Sequence, residues 1–280
     1  DSRKGQYYYE YYLLCVDAQT GERRWYVPLS SFPQIGSSPV ALDGMVLLGE
    51  GYQGSGHVES FDAETGARIW KADVEGDVIH TVSAEGDTVY ASTYYGIAYA
   101  LDASTGAITD EWQLFEAAAM GPITLAGGKM LANGISLELK AQGYGAGQIV
   151  ALDAQTGGRA WVFGIDDDTS ISHCSTSSTL AFVSTYTSEG NATVTCLALS
   201  DGSVRWSQDV PQGAVLGGSI SVGGGAIVLC DDTNGTARCY RLTDGTLLWE
   251  YELGDAAPYT PALAGNKVYL ASEGRIVCMG

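Results

Sequence analysis

The chain alternates short runs of β-branched, aromatic and small apolar residues with glycine-bearing turns. Thr88-Val89-Tyr90-Ala91-Ser92 follows Glu85-Gly86-Asp87, and Lys267-Val268-Tyr269-Leu270-Ala271-Ser272 follows Ala264-Gly265-Asn266. Runs of this length and make-up, punctuated in this way, predict strands. No stretch keeps an apolar period of 3.6 residues over three turns, so helix should be minimal and the fold class all-β.

The strands are organised by an internal repeat. Val16-Asp17-Ala18-Gln19-Thr20-Gly21, Phe61-Asp62-Ala63-Glu64-Thr65-Gly66, Leu101-Asp102-Ala103-Ser104-Thr105-Gly106 and Leu152-Asp153-Ala154-Gln155-Thr156-Gly157 are versions of one hexapeptide, followed by the shorter Leu199-Ser200-Asp201-Gly202 and Leu242-Thr243-Asp244-Gly245. Each glycine is followed within four to six residues by a tryptophan, and Trp25, Trp70, Trp112, Trp161, Trp206 and Trp249 are all the tryptophans of the chain. The glycines lie 45, 40, 51, 45 and 43 residues apart, the length of a four-stranded propeller blade. In a hairpin the Asp and Thr accept amide hydrogen bonds and the Gly supplies positive φ. The Trp is then placed to fill the wedge between neighbouring blades, a structural role rather than ligand stacking.

The pattern A-L-D-A-x-T-G-x-x-x-W resembles the PQQ-like β-propeller repeats of quinoprotein dehydrogenases and of the outer-membrane assembly lipoprotein family that shares their fold. The resemblance covers essentially all of residues 1–280 and implies a single propeller domain of four-stranded antiparallel blades. Complete blades end at Trp70, Trp112, Trp161, Trp206 and Trp249, with two strands before them and three after, a total of 25. Six blades of four need one fewer. A seven-bladed parent with three further strands upstream satisfies the count, and a six-bladed ring with a redundant strand is the alternative.

Composition narrows the function. Fourteen Lys and Arg against 33 Asp and Glu leave a net charge of −19, which repels phosphate backbones and anionic lipid, so nucleic acid is not an expected partner. No apolar run is long enough for a membrane-spanning helix. Six cysteines without a CxxC give neither a zinc site nor a disulfide scaffold. Cys230 and Cys239 flank one hairpin and are the candidate disulfide; Cys174 with Cys196, and Cys15 with Cys278, are left open. The candidate disulfide and the resembled families together point to an extracytoplasmic location.

Candidate chemistry is sparse. Aligning the repeats puts Ser38, His80, Gly121, His173, Gly218 and Thr260 at the start of successive inner strands, so Ser38, His80, His173 and Thr260 are candidate funnel-rim residues. A metal there would need more ligands, for which Asp166-Asp167-Asp168 is one source. His57 opens a middle strand and is expected at the surface, and Asp231-Asp232 reads as a solvated loop pair. The resembled dehydrogenases imply calcium, an Asp base and a vicinal disulfide against pyrroloquinoline quinone. The sequence has no adjacent Cys pair and no Trp outside the repeat, so no cofactor or metal is assigned and calcium or PQQ remain the alternative. G-x-S-x-G, P-loop and H-E-x-x-H are absent.

Seventeen tyrosines, among them Tyr7, Tyr8, Tyr9, Tyr11, Tyr12, Tyr52, Tyr94, Tyr95 and Tyr144, suit a binding surface as well as strand interiors. The longest repeat carries an insertion, Ser136 to Gly147, suited to a partner-specific loop. The resulting expectation is a non-catalytic binding scaffold or sensor domain whose loops hold a protein, peptide or glycan. The alternative is a quinone- or metal-dependent oxidoreductase, or another enzyme, with its site in the central funnel.

Overall fold

The computed structural model describes residues 11–29, 37–52, 54–78, 80–116, 118–119, 121–141, 143, 147–165, 169–171, 174–187, 191–210, 220–231, 235–254, 260–272 and 274–280. They fall into two compact units, Asp1–Gln113 and Leu114–Gly280. In the first, β1 (Tyr12–Val16) pairs with β2 (Arg23–Pro28). A four-stranded sheet follows, β3 (Val40–Leu42), β4 (Met45–Tyr52), β5 (Ser55–Asp62) and β6 (Arg68–Glu75), then another, β7 (Ser83–Glu85), β8 (Thr88–Ser92), β9 (Ile97–Asp102) and β10 (Ile108–Gln113).

The second unit opens with β11 (Ala118–Ala119), β12 (Thr124–Ala126), β13 (Lys129–Ile135), β14 (Gly147–Asp153) and β15 (Arg159–Ile165). Helix α1 (Leu137–Ala141) sits in the insertion between β13 and β14. The next sheet is β16 (Thr169–Ile171), β17 (Ser175–Thr176), β18 (Leu180–Thr187), β19 (Ala192–Ala198) and β20 (Val204–Val210). After it come β21 (Ser221–Gly223), β22 (Ala226–Cys230), β23 (Thr236–Arg241) and β24 (Leu247–Glu252), and finally the three strands β25 (Ala262–Ala264), β26 (Lys267–Ser272) and β27 (Arg275–Met279). All pairings are antiparallel between successive strands of the blade pattern. The all-β expectation holds. Among the described residues the strands number 27 rather than 25 because β13 and β18 extend past their inner partners and each pairs with one more short strand, β11 and β16.

Burial explains the composition of each strand. Middle strands lie between neighbouring sheets, so both faces need apolar or neutralised side chains, and β5 is buried from Gly56 to Phe61. Outer strands alternate instead: Trp70, Ala72 and Val74 of β6 point inward while Lys71, Asp73 and Glu75 face solvent. Between sheets the core is continuous, with Leu47, Val58, Trp70 and Val74 packed on Val78, Val89, Tyr99 and Leu101.

The hexapeptide works as its residues predict. In the turn at Asp62, the Thr65 amide and hydroxyl donate to Asp62 Oδ1 at 2.7 and 2.6 Å, and the Gly66 amide donates to the Asp62 carbonyl at 2.8 Å. The same set recurs at Asp17, Asp102 and Asp153. A register shift follows each turn at the same place, as at Ile69, left unpaired between Arg68 opposite Phe61 and Trp70 opposite Ser60, and re-aims the outer strand so that its Trp faces the next sheet. The indole then donates Nε1–H to a backbone carbonyl of the following turn: Trp25 to Ala63 at 3.0 Å, Trp70 to Ala103 at 2.8 Å, Trp161 to Leu199 at 2.9 Å and Trp206 to Leu242 at 3.0 Å. Each of these indoles lies flat against the turn glycine. A Cβ on Gly106, at φ 72°, would sit 2.5 Å from the Trp70 ring. Glycine is required there twice, for the left-handed backbone and for the ring's approach.

Candidate functional site

The inner-strand lead-ins are used to join sheets. Ser38 donates its amide to the Thr81 hydroxyl at 3.0 Å, Thr124 donates its hydroxyl to the Cys174 carbonyl at 2.9 Å, and Ser221 donates to the Pro261 carbonyl. Among the candidate rim residues, Ser38 and Thr260 are exposed and His80 is half-buried, while His173 and Asp166 to Asp168 lie outside the described residues. Ser38 and His80 belong to the first unit and Thr260 to the second.

The structure brings together a different set. His57 is a correction to the sequence reading: it is 9% exposed rather than at the surface, because β5 is a middle strand covered on both faces. Its register partner across β4 is Glu50, itself 1% exposed, and Glu59 follows two residues along the same face. One ligand-type atom from each of Glu50, His57 and Glu59 lies within 4.8 Å of the other two. His57 Nε2 is 3.4 Å from Glu50 Oε2 and makes no hydrogen bond among the described residues. Arg68 Nη1 and Lys71 Nζ approach Glu59 at 3.1 and 3.8 Å, both at Oε1. On the opposite face, Gly49 and Gly51 leave room for Val78 and Asp77, so this stretch of β4 projects its chemistry to one side.

The same repeat position is charged again in the β21–β24 sheet, with the signs exchanged. Arg238, 5% exposed, holds Glu250 of the outer strand at 2.7 Å and lies 3.7 Å from Asp231. Asp231 is fully buried, which corrects the solvated-loop reading; Asp232 lies outside the described residues. Aligning the chain on its turn glycines would have exposed both sets. Seven residues before the glycine stand Glu59 and Arg238, and five after it stand Lys71 and Glu250. Composition of the strands alone did not reveal them.

The candidate Cys230–Cys239 disulfide is not formed in the structure. None of the six cysteines is in a disulfide. Cys239 stands opposite Val228 and Cys230 opposite Ala237, so the two are diagonal neighbours. Diagonal positions lie roughly 7–8 Å apart between Cα atoms, beyond the roughly 4.4–6.8 Å that a disulfide spans. Burial pushes the Cys174 thiol up to about 12 and Cys196 to about 11, so both stay protonated and inert.

Of the tyrosines, Tyr94 and Tyr95 form an exposed pair at the tip between β8 and β9, 49% and 45% accessible. The tip is held firmly. Tyr94 donates its amide to the Asp77 carbonyl at 2.9 Å, the Tyr95 carbonyl accepts from Gln113 Nε2 at 3.0 Å, and the Tyr95 hydroxyl lies against Gly54. Tyr12 and Tyr26 are exposed on β1 and β2, edge to face at 5.5 Å, with the Arg23 guanidinium 4.8 Å above the Tyr26 ring. Tyr7, Tyr8, Tyr9 and Tyr144 lie outside the described residues. In the insertion, Leu137 is 60% exposed, and the Glu116 carboxylate accepts its amide at 2.8 Å.

Two open clefts of about 640 and 610 Å3 lie between sheets of the second unit. The first is lined by Lys129, Ser178, Thr179 and Arg205, the second by Val228, Cys239, Trp249 and Leu263.

A family model described as outer membrane protein assembly factor BamB, a PQQ-repeat family, matches residues 54–214 and 190–279. The chain belongs to this family. Its fold is a β-propeller of antiparallel blades, similar to the crystal structure of BamB from Moraxella catarrhalis, which it matches with a TM-score of 0.68 at 18% identity over 95% of this chain and 78% of that one. A computationally designed protein, Ika8, aligns with a TM-score of 0.72 at 14% identity over 92% of this chain and 74% of that one. In sequence, the quinohemoprotein alcohol dehydrogenase ADH-IIG of Pseudomonas putida is 27% identical over 157 residues, 53% of this chain and 22% of that protein. The corresponding enzyme of Comamonas testosteroni is 29% identical over 150 residues, 49% of this chain and 21% of that protein. The chain thus spans about a fifth of the length of these dehydrogenases.

Four of the six indoles are committed to inter-sheet sockets, and the cysteines are in no disulfide, none adjacent to another.

Proposed function

We propose that this chain is a non-catalytic, extracytoplasmic binding scaffold that holds a protein partner, as the assembly-factor description of its family suggests. The observation that carries the reading is the Tyr94–Tyr95 tip: two half-exposed aromatics on a hairpin whose backbone is fixed by Asp77 and Gln113. Tyrosine offers a large amphipathic contact surface with few rotatable bonds, and a tip already ordered loses little entropy on binding. Exposed Leu137 on the α1 insertion supplies a comparable apolar contact in the second unit. Among the described residues no helix is long and apolar enough to cross a membrane.

The test is site-specific photo-crosslinking in the envelope of the source cell. Probes at positions 94 and 95 should give a discrete adduct with an envelope protein, while one at exposed Val204 on outer strand β20 should not. Equal labelling at all three, or none at 94 and 95, overturns the reading. The similarity to quinohemoprotein dehydrogenases supports a second reading, an oxidoreductase with its site in the funnel. Saturable binding of pyrroloquinoline quinone with calcium, together with alcohol-dependent dye reduction, would establish it in place of the first.

A further inference from the structure

We propose that Glu50, His57 and Glu59 form a binding site for one first-row divalent transition cation, best matched by Zn2+. The three side chains come from adjacent middle strands in a register that leaves no freedom in their order. Glu50 faces His57 directly across β4 and β5, and Glu59 is two residues further on the same face. Their ligand atoms lie within 4.8 Å of one another, so each needs to move by less than about 1 Å to reach the 2.0–2.2 Å bonds of an imidazole and two carboxylates around zinc.

A second observation points to a ligand. His57 is nine-tenths buried, yet Nε2 lies 3.4 Å from Glu50 Oε2 without hydrogen-bond geometry and has no other hydrogen-bond partner among the described residues. A buried imidazole nitrogen directed at carboxylates and not hydrogen-bonded to them is costly unless something satisfies it. A cation between the three groups does so. One nitrogen and two carboxylates suit zinc and its neighbours better than calcium, which prefers an all-oxygen shell.

Glu59 brings the main competition. Arg68 and Lys71 both engage Oε1, so a cation would coordinate through Oε2 and repel the exposed Lys71 ammonium. Lys71 therefore acts as a built-in competitor, which supplies a distinctive test. On the other side of His57, the register sets exposed Asp73 of β6, an anionic neighbour on the solvent-facing approach.

The experiment is titration of the intact, metal-stripped chain with Zn2+, read by calorimetry and by native mass spectrometry. One saturable ion per chain is expected. H57Q and E50Q should each weaken it at least tenfold, and K71M should tighten it several-fold. Folding of each variant is checked by circular dichroism. Should a variant not fold, the wild type decides alone: the chain has three histidines, and in an imidazole NMR spectrum His57 should shift at one equivalent of Zn2+ while His80 stays in place. Many weak sites of a −19 chain with no change at His57, binding that survives H57Q, or an unaltered affinity in K71M would each overturn the proposal.

Discussion

Replacing Gly106 with alanine tests the repeat at its tightest point. The new Cβ would stand 2.5 Å from Trp70 Cε3 and 2.6 Å from Cδ2, at a backbone φ of 72°. The left-handed conformation alone costs an L-residue about 1–2 kcal/mol. Forcing a methyl group into a packed ring adds about 1–3 kcal/mol of overpacking, because Trp70 is buried and tied to Ala103 by its indole hydrogen bond. The sum is about 2–5 kcal/mol. Gly21 is the matched control: it occupies the same turn position at φ 71°, but a Cβ there meets nothing within 4 Å. G21A should therefore show only the backbone cost. In urea titrations followed by tryptophan fluorescence, G106A should lower the midpoint two- to threefold more than G21A, at unchanged slope. Equal shifts for the two variants would refute the argument that the indole, rather than the backbone, enforces glycine at this position.

Other outcomes follow from the same structure. W70F keeps a ring in the socket but removes the donor to the Ala103 carbonyl at 2.8 Å, and should cost about 1–3 kcal/mol in the same assay. R238A takes a guanidinium from beside fully buried Asp231 and from Glu250 and should destabilise the chain by about 3 kcal/mol; a loss below 1 kcal/mol in the denaturation midpoint would contradict the buried-pair assignment. The turn carboxylates set an acid limit. Asp17 is held down to about 2 chiefly by the Arg24 side chain, Asp244 to about 2 chiefly by the Thr246 hydroxyl, and Asp62, Asp102, Asp153 and Asp201 are lowered by their own turn hydrogen bonds. A depressed folded-state pKa contributes stability above the unfolded value near 3.9 and loses it as pH falls toward 2. The melting temperature should thus drop increasingly below about pH 4, less steeply in D62N/D102N/D153N than in the wild type; parallel curves would contradict this. Under native, non-reducing conditions a thiol reagent should label exposed Cys278 first and Cys15 more slowly, with Cys174, Cys196, Cys230 and Cys239 reacting only after unfolding. A peptide map containing a Cys230–Cys239 link would contradict the register between β22 and β23.

Most of the fold is local and therefore readable along the chain. Asp62, Thr65 and Gly66 close their turn with groups no more than four residues apart, so their spacing alone carries the geometry. The tryptophan four residues later follows from the same period. Strand identity is equally local, since β-branched runs between glycine turns have few alternatives. The inference fails where a side chain's surroundings come from another strand. His57 read as exposed because the start of a strand is ordinarily accessible, whereas its burial depends on the sheet packed over β5. Cys230 and Cys239 read as partners because they flank one hairpin, whereas the two-residue offset between them is a matter of register. Glu50 and Glu59 carried no signal in composition, and became a cluster with His57 only when β4 and β5 paired with Glu50 opposite His57. The periodicity of the chain dictates turns and strands through contacts a few ångströms and a few residues apart. Pairing register and the stacking of sheets join residues distant in sequence, and they alone decide which polar groups meet out of reach of water.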